Sequence, residues 1–163
     1  MKNIFLAALM LSIVTSTSAT TNNQSGQFLL VQTARSAEVK AIPSQPNTYE
    51  LTLKKASPYV TYFSDRPIRV SGAVSNDKFS QDWQKTFLRD APNADLVGIA
   101  DSLLHRKYLN YTIELTDMQY NTAQQTFHYI IHVLPGDKKA LPKKLELHDA
   151  ALFIDGACLT CID

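Results

Sequence analysis

Tyr59-Val60-Thr61-Tyr62-Phe63-Ser64-Asp65-Arg66-Pro67-Ile68-Arg69-Val70-Ser71-Gly72 is the stretch in which strand-forming aromatics run straight into charge, a proline and a glycine. Its first five residues are β-branched or aromatic, the types that suit a pleated, half-buried surface. Pro58 before them and Asp65-Arg66-Pro67 after them mark the ends of a strand. Alternation places Tyr59, Thr61, Phe63 and Asp65 on one face, and Val60, Tyr62 and Ser64 on the other. Arg66 precedes a proline, which predicts an extended backbone there. Gly72 marks either a backbone angle that side chains avoid or a close approach between chains. The stretch therefore reads as a strand feeding a stiff turn that carries Asp65, Arg66 and Arg69.

Two uses of that turn follow from its chemistry. A guanidinium is a planar fork that matches carboxylate and phosphate groups, so Arg66 and Arg69, with Asp65 beside them and Tyr62 as an aromatic wall, form a candidate site for an anion. The same residues also suit a purely structural turn, with Asp65 paired to an arginine or capping the reversal.

Outward from this stretch the chain is β-rich. Phe28 to Val31 begins a strand, and Ala37 to Ile42 reads as its continuation or as a second one. Pro43-Ser44-Gln45-Pro46-Asn47 is a turn. Tyr49, Leu51 and Leu53 alternate with Glu50, Thr52 and Lys54, the pattern of a half-buried strand. Downstream, Ser75 is a helix N-cap with Asp77 in the first turn, where the helix dipole favours negative charge. Phe79, Trp83 and Phe87 recur every fourth residue, one apolar stripe that docks a helix on a sheet. Asp90 to Asn93 is a turn and Ala94 to Ala100 a buried strand.

Tyr108 to Thr116 and Gln125 to Leu134 pair as a hairpin. Facing Tyr111, Ile113 and Leu115 with Phe127, Tyr129, Ile131 and Val133 requires an odd-length loop near Asn121-Thr122-Ala123. That register sets Thr112, Glu114 and Thr116 opposite His132, Ile130 and His128. Leu145 to Leu147 and Ala150 to Ile154 supply a last strand or two, ended by Gly156. About seven mainly antiparallel strands with one amphipathic helix predict a β-rich domain, a sandwich or a partly closed barrel.

The run Tyr62 to Val74, followed by Phe79-Ser80-Gln81-Asp82-Trp83 and by Phe87 to Gly98, resembles a family of uncharacterised exported bacterial and archaeal proteins. The resemblance rests on a Tyr-Phe-Ser-Asp-Arg-Pro-x-Arg core at Tyr62 to Arg69, a Phe-x-x-x-Trp helix at Phe79 and Trp83, and Asp90 to Ala94. Leu152 to Asp155 is similar to its closing strand. The likeness spans residues 48 to 155 and implies export, but no activity. The Cys158 and Cys161 tail is no part of it.

Export is also read from the residues themselves. Met1-Lys2-Asn3 precedes an apolar run from Ile4 to Val14, and small residues lead to Ala19, the tripartite pattern of a secretory signal cleaved after Ala19. The run is shorter than the roughly 20 residues that span a bilayer, so no stable transmembrane segment is expected after cleavage. The expected organisation is a signal over 1–19, a disordered lead-in over 20–26, one domain over 27–157 and a cysteine tail over 158–163. Lys2 is the leader's only charge, so the remainder carries as many basic as acidic residues. That balance argues against nucleic acid as partner.

Cys158-Leu159-Thr160-Cys161 sits too close to the last residue, Asp163, to open the helix that a thioredoxin-like centre needs. A zinc site would need two further ligands within reach. A Cys158–Cys161 disulfide in an oxidising compartment is the expectation, with a disulfide-linked homodimer as the other use. His128 and His132 lie about 13 Å apart along one strand face at ~3.3 Å per residue, too far to share one ion directly. Either could instead pair with Glu114. No nucleophile elbow, zinc-protease helix, phosphate loop or dinucleotide fingerprint is present, and no motif calls for a metal or cofactor.

The reading is an exported, secreted or periplasmic, soluble domain that binds a small anionic molecule or an envelope component without catalysis. Two alternatives stand beside it. One is a hydrolase using acidic residues near Asp65, and the other an envelope module that dimerises through cysteine.

Overall fold

The computed structural model describes residues 27–64, 66–67, 69–87, 89–101, 105–134 and 140–158. The expected signal and lead-in, Asp65 and Cys161 lie outside them. Eight strands and one helix run β1 (Gln27–Ala41), β2 (Thr48–Ala56), β3 (Tyr59–Ser64), β4 (Ser71–Ser75), α1 (Asn76–Phe87), β5 (Asn93–Asp101), β6 (Arg106–Asn121), β7 (Thr126–Val133) and β8 (Lys144–Cys158). All pairings are antiparallel and form one sheet in the order β2-β7-β6-β5-β8-β1-β3-β4.

That sheet curls until its first strand returns to the sixth. β1 pairs with β8 along nearly its whole length, and on its other side it is shared. Its C-terminal half pairs with β2, from Ala34↔Ala56 to Ala41↔Tyr49. Its first residues pair with β3, from Phe28↔Ser64 to Val31↔Thr61. The sheet is thus partly ring-closed, and β3 and β4 leave the ring as a two-stranded flap.

The long strands bend because their inward parity switches partway along. On β1 the buried side chains are Phe28, Leu30, Gln32 and Ala34, then Ala37 and Val39. On β8 they are Leu145 and Leu147, then Ala150, Leu152 and Ile154. The β8 switch coincides with Asp149 in the left-handed region, φ 47°, and the β2 switch between Leu53 and Ala56 with Lys55 at φ 52°. β1 holds its register with both β2 and β8 across these points, so the three strands bend together, while an extra residue of β8 enters against β5 between Val97↔Ala151 and Ile99↔His148. Each of these regions, read as one strand or two, is therefore one bent strand, and the strand beyond the expected seven is β4.

Gly156 was expected to end the last strand. It instead sits inside β8 at φ 84°, where the β1 register slips between Phe28↔Ala157 and Leu30↔Ile154. An added Cβ there would meet nothing within 4 Å, so the backbone angle alone requires glycine.

The β6–β7 hairpin also corrects the expected register. Glu114 faces His132, and a slip at Thr116 then sets Asp117 against Ile130 and Gln119 against His128. β6 continues to Asn121, which pairs with Thr126, so an even loop of residues 122–125 closes the hairpin. The bulge accounts for the change: it turns Met118 inward where strict alternation from Leu115 would have buried Asp117.

α1 lies against the interior of the curl. Ser75 caps it, its Oγ accepting the Lys78 N–H at 3.3 Å. Phe79, Trp83 and Phe87 are all buried. Trp83 packs 5.7 Å from Tyr129 and 4.5 Å from Phe87 between ring centroids, and Phe79 packs 6.3 Å from Phe127. Burial of such rings contributes about 1.5–3 kcal/mol each. Asn76 ties the helix start to the sheet, its Nδ2 donating to Ser57 O at 2.7 Å and to Tyr120 Oη at 3.3 Å. The aromatic stripe is the helix's docking face.

Candidate functional site

The flap carries the residues singled out in the sequence. Faces fall as alternation required: Val60 is fully buried and Tyr62 half-buried, while Tyr59, Thr61 and Phe63 are exposed. Tyr62 and Gly72 face each other across β3 and β4. A Cβ on Gly72 would come within 2.5 Å of Tyr62 Oη and 2.6 Å of its Cζ, so the ring lies directly on the glycine backbone. Its other neighbour is Phe28, edge-on at 5.8 Å. Gly72 therefore serves close approach. Tyr62, read above as an aromatic wall for a ligand, spends its ring on Gly72 and Phe28. The exposed aromatic bordering the tip is Phe63 (49%), with Val70 (41%) and Leu29 (41%) near it.

The tip is closed by Ser64 and Val70. The Ser64 N–H donates to Val70 O at 2.9 Å, and the Val70 N–H donates to Ser64 Oγ at 2.8 Å. Between them Arg66 and Pro67 form a turn joined by a cis peptide. The side chains of Arg66 and Arg69 are exposed, and among the described residues no carboxylate forms an ion pair with either. Asp65, placed with them by the sequence, lies outside the described residues.

A second polar region covers the outer face of β2, β7 and β6. His128 Nδ1 lies 3.2 Å from Thr52 Oγ1 and 3.8 Å from Glu50 Oε1. His132 Nδ1 lies 3.3 Å from Thr48 Oγ1. Glu50, Asp117, Gln119, His128 and Ile130 line a shallow cleft of about 270 Å³. Register sets Glu114 opposite His132, yet among the described residues neither histidine forms an ion pair with it. The carboxylate near a histidine here is Glu50, supplied by β2, whose pairing with β7 the sequence reading did not include.

On the same side of the sheet Glu38 gathers cations from three strands. Lys54 Nζ lies 2.7 Å and Lys40 Nζ 2.9 Å from its carboxylate, with Lys144 at 3.9 Å. The Lys54 hydrogen bond, seconded by Lys40, lowers its pKa to about 2. Asp82, buried on α1, is likewise held below the usual carboxylate range, chiefly by Lys78 at 2.8 Å. These are ion-pair networks of a sheet face and of a helix. Among the described residues no group of three or more His, Cys, Asp or Glu is placed to hold a metal ion, and no helix is long and apolar enough to cross a membrane.

Cys158 ends β8 opposite Gln27 of β1, and its expected disulfide partner Cys161 lies outside the described residues. Fold and flap together define a partly ring-closed antiparallel β domain with a docked helix and a basic hairpin tip. No family model, curated protein or solved structure matches the chain.

Proposed function

We propose that this is an exported binding domain, without catalytic activity of its own, that captures a small anionic ligand on the tip of the β3–β4 flap. The observation that carries the reading is the pair of exposed guanidiniums at Arg66 and Arg69 with no ion-pair partner among the described residues. An exposed guanidinium attracts an incoming anion, and arginine's fork adds geometric selectivity for phosphate and carboxylate. The flap supplies a fixed platform, because Tyr62 is seated on Gly72 and the tip is closed through Ser64. Phe63 and Val70 beside the tip favour a ligand that joins an anionic group to some apolar surface. Asp65, within the same turn, is assigned the role of orienting a guanidinium. A Cys158–Cys161 disulfide fastening the C-terminal tail belongs to the same proposal, as does cleavage of the leader after Ala19.

Calorimetric titration with inorganic phosphate and with lauryl phosphate tests the reading. Lauryl phosphate is expected to bind the more tightly of the two, and Arg66→Met with Arg69→Met to weaken both at least tenfold without altering the melting temperature. Equal binding by the wild type and the double variant would refute the site. Loss of folding in the variant would make the turn structural instead.

A further inference from the structure

The bend shared by β1, β2 and β8 sets three charged residues in one row. Register places Arg35 of β1 level with Lys55 of β2, between Ala34↔Ala56 and Ser36↔Lys54. On its other side Arg35 is level with Asp149 of β8, between Ala34↔Ala150 and Ser36↔His148. All three are exposed, and the outer two hold left-handed backbone, φ 52° at Lys55 and 47° at Asp149. Charged residues next to the row are already paired, Lys54 with Glu38 at 2.7 Å and His148 with Asp101 at 3.5 Å. Arg35, Lys55 and Asp149 have no ion-pair or side-chain hydrogen-bond partner among the described residues. Two cations level with each other on adjacent strands repel, a cost that a bound anionic group would relieve. The three line one cleft of about 410 Å³ together with the hydroxyl-bearing Thr33 and Ser57. Asp149 also borders a second cleft of about 380 Å³, whose other walls include Val97, Ile99 and Tyr108. It reaches both because β8 sets Asp149 and Ala150 against Gly98 alone, and such a bulge re-aims a side chain. The Tyr108 ring is 80% exposed beside that second cleft.

We propose that this row is a second binding site, for a free α-amino acid with a large apolar side chain. The ligand's carboxylate sits between Arg35 and Lys55, its ammonium on Asp149, and its side chain along Val97 and Ile99 toward Tyr108. The order of the charges carries the assignment. A simple anion would bring its charge against Asp149, and a simple cation would bring its charge against Arg35 and Lys55. A molecule with both signs meets all three residues with the opposite charge. Arginine's fork suits the carboxylate, and the apolar cleft lies on the far side of Asp149 from the two cations. Carboxylate, ammonium and apolar group therefore follow one another across β1, β8 and β5 in the order that an apolar amino acid offers them. Strands lie about 4.8 Å apart, so β1 and β5 flank β8 across about 10 Å, a span that the ligand and the length of the arginine close together. Both clefts fall in the size range of small-ligand sites. The row shares no residue with the flap, so this site stands independently of the anion reading.

Calorimetric titration of the purified protein with L-phenylalanine, 3-phenylpropionate, phenethylamine and glycine is the first test. Phenylalanine is expected to bind at least tenfold more tightly than each of the others, which lack the ammonium, the carboxylate and the side chain in turn. This comparison uses the wild-type chain and does not depend on how any variant folds. Asp149→Asn keeps a residue type that tolerates left-handed backbone. It is expected to weaken phenylalanine at least tenfold and to leave 3-phenylpropionate unchanged. Arg35→Gln is expected to weaken both of these ligands and to leave phenethylamine unchanged. Arg66→Met with Arg69→Met is expected to alter none of the three. No saturable binding of phenylalanine at about 10 mM overturns the proposal. So does equal binding of phenylalanine and 3-phenylpropionate, which would leave Asp149 without a role. Phenylalanine binding that survives Asp149→Asn overturns it as well, and binding lost in the Arg66, Arg69 double variant would assign the ligand to the flap instead.

Discussion

Gln32 and Tyr129 form a polar pair deep in the interior, and removing one partner tests how that interior is satisfied. The Tyr129 hydroxyl donates to Gln32 Oε1 at 2.8 Å, and both residues are essentially inaccessible. Gln32 Nε2 has no hydrogen-bond partner among the described residues. Tyr129→Phe deletes the donor and leaves the whole amide unsatisfied. A net hydrogen bond contributes about 1 kcal/mol, and a buried group left without a partner costs about 1–3 kcal/mol, part of which Gln32 already bears. The expected loss is therefore about 1.5–2.5 kcal/mol. Replacing both partners, Gln32→Met with Tyr129→Phe, removes every stranded polar atom at nearly conserved volume, so the double variant is expected within about 1 kcal/mol of wild type. Urea denaturation with an unchanged m-value reads all the states of this cycle. Burial also raises the Tyr129 pKa, against the weaker lowering by Gln32. Above about pH 10 the unfolded chain releases this proton while the folded chain keeps it, so stability falls with rising pH. Tyr129→Phe is expected to reduce that alkaline loss. A double variant as unstable as the two single changes summed would show that the pair is not a coupled unit and refute the reasoning.

Two further perturbations follow from the contacts. Gly72→Ala drives a Cβ to within 2.5 Å of the Tyr62 hydroxyl, so it is expected to destabilise by about 1–3 kcal/mol, with Tyr62→Ala in the same chain relieving the clash; additive losses in thermal melts would count against the contact. Glu38, with its pKa lowered to about 2 by Lys54 and Lys40, contributes stability that is fully present above its unfolded value near 4.3 and is lost as pH falls toward 2. Glu38→Gln is expected to flatten the stability profile across that window by on the order of 1 kcal/mol at low salt, after allowance for solvent screening, and an unchanged acid limb would exclude the network as a source of stability.

The parts of this fold that could be read in advance are those where one side-chain period holds without interruption. Leu51 and Leu53 bury and Tyr49 half-buries as alternation required, and Phe79, Trp83 and Phe87 bury as a four-residue stripe required. Ser75 and Asp77, one capping and one in the first turn, mark the helix start independently of packing. Reading failed where the period changes phase inside one strand. Between Ala34 and Ala37, and again between Leu147 and Ala150, the inward set jumps by three residues, which in a sequence looks like a break. A broken strand and a bent strand share that pattern. Only the partner distinguishes them, and β1 keeps β8 as its partner through both jumps. The same ambiguity governs the β6–β7 register, because Thr116 reads as the end of a strand and is the bulge inside one.

The flap shows what kind of information a local reading lacks. Tyr62 and Phe63 are adjacent aromatics in one strand, and nothing in their own chemistry says which is spent on the fold. Their places are set by β1, which pairs Leu29 with Phe63 on the outside and Leu30 with Tyr62 on the inside. Gly72 then becomes the surface on which Tyr62 rests, and this contact holds the flap's tip in place. Arg66 and Arg69 needed no such partner to be recognised, since a charged turn between strand residues is exposed in almost any fold. The open side of β4 could not have been recognised at all, because an edge is a property of the whole strand order. In a sheet that curls back so that β2 meets β1, the flap is the place where strand pairing stops among the described residues, and it also carries the exposed Arg66 and Arg69. Ring closure therefore leaves the described sheet with its outermost strand in the same hairpin that carries these arginines, and the proposed anion site draws on that exposure.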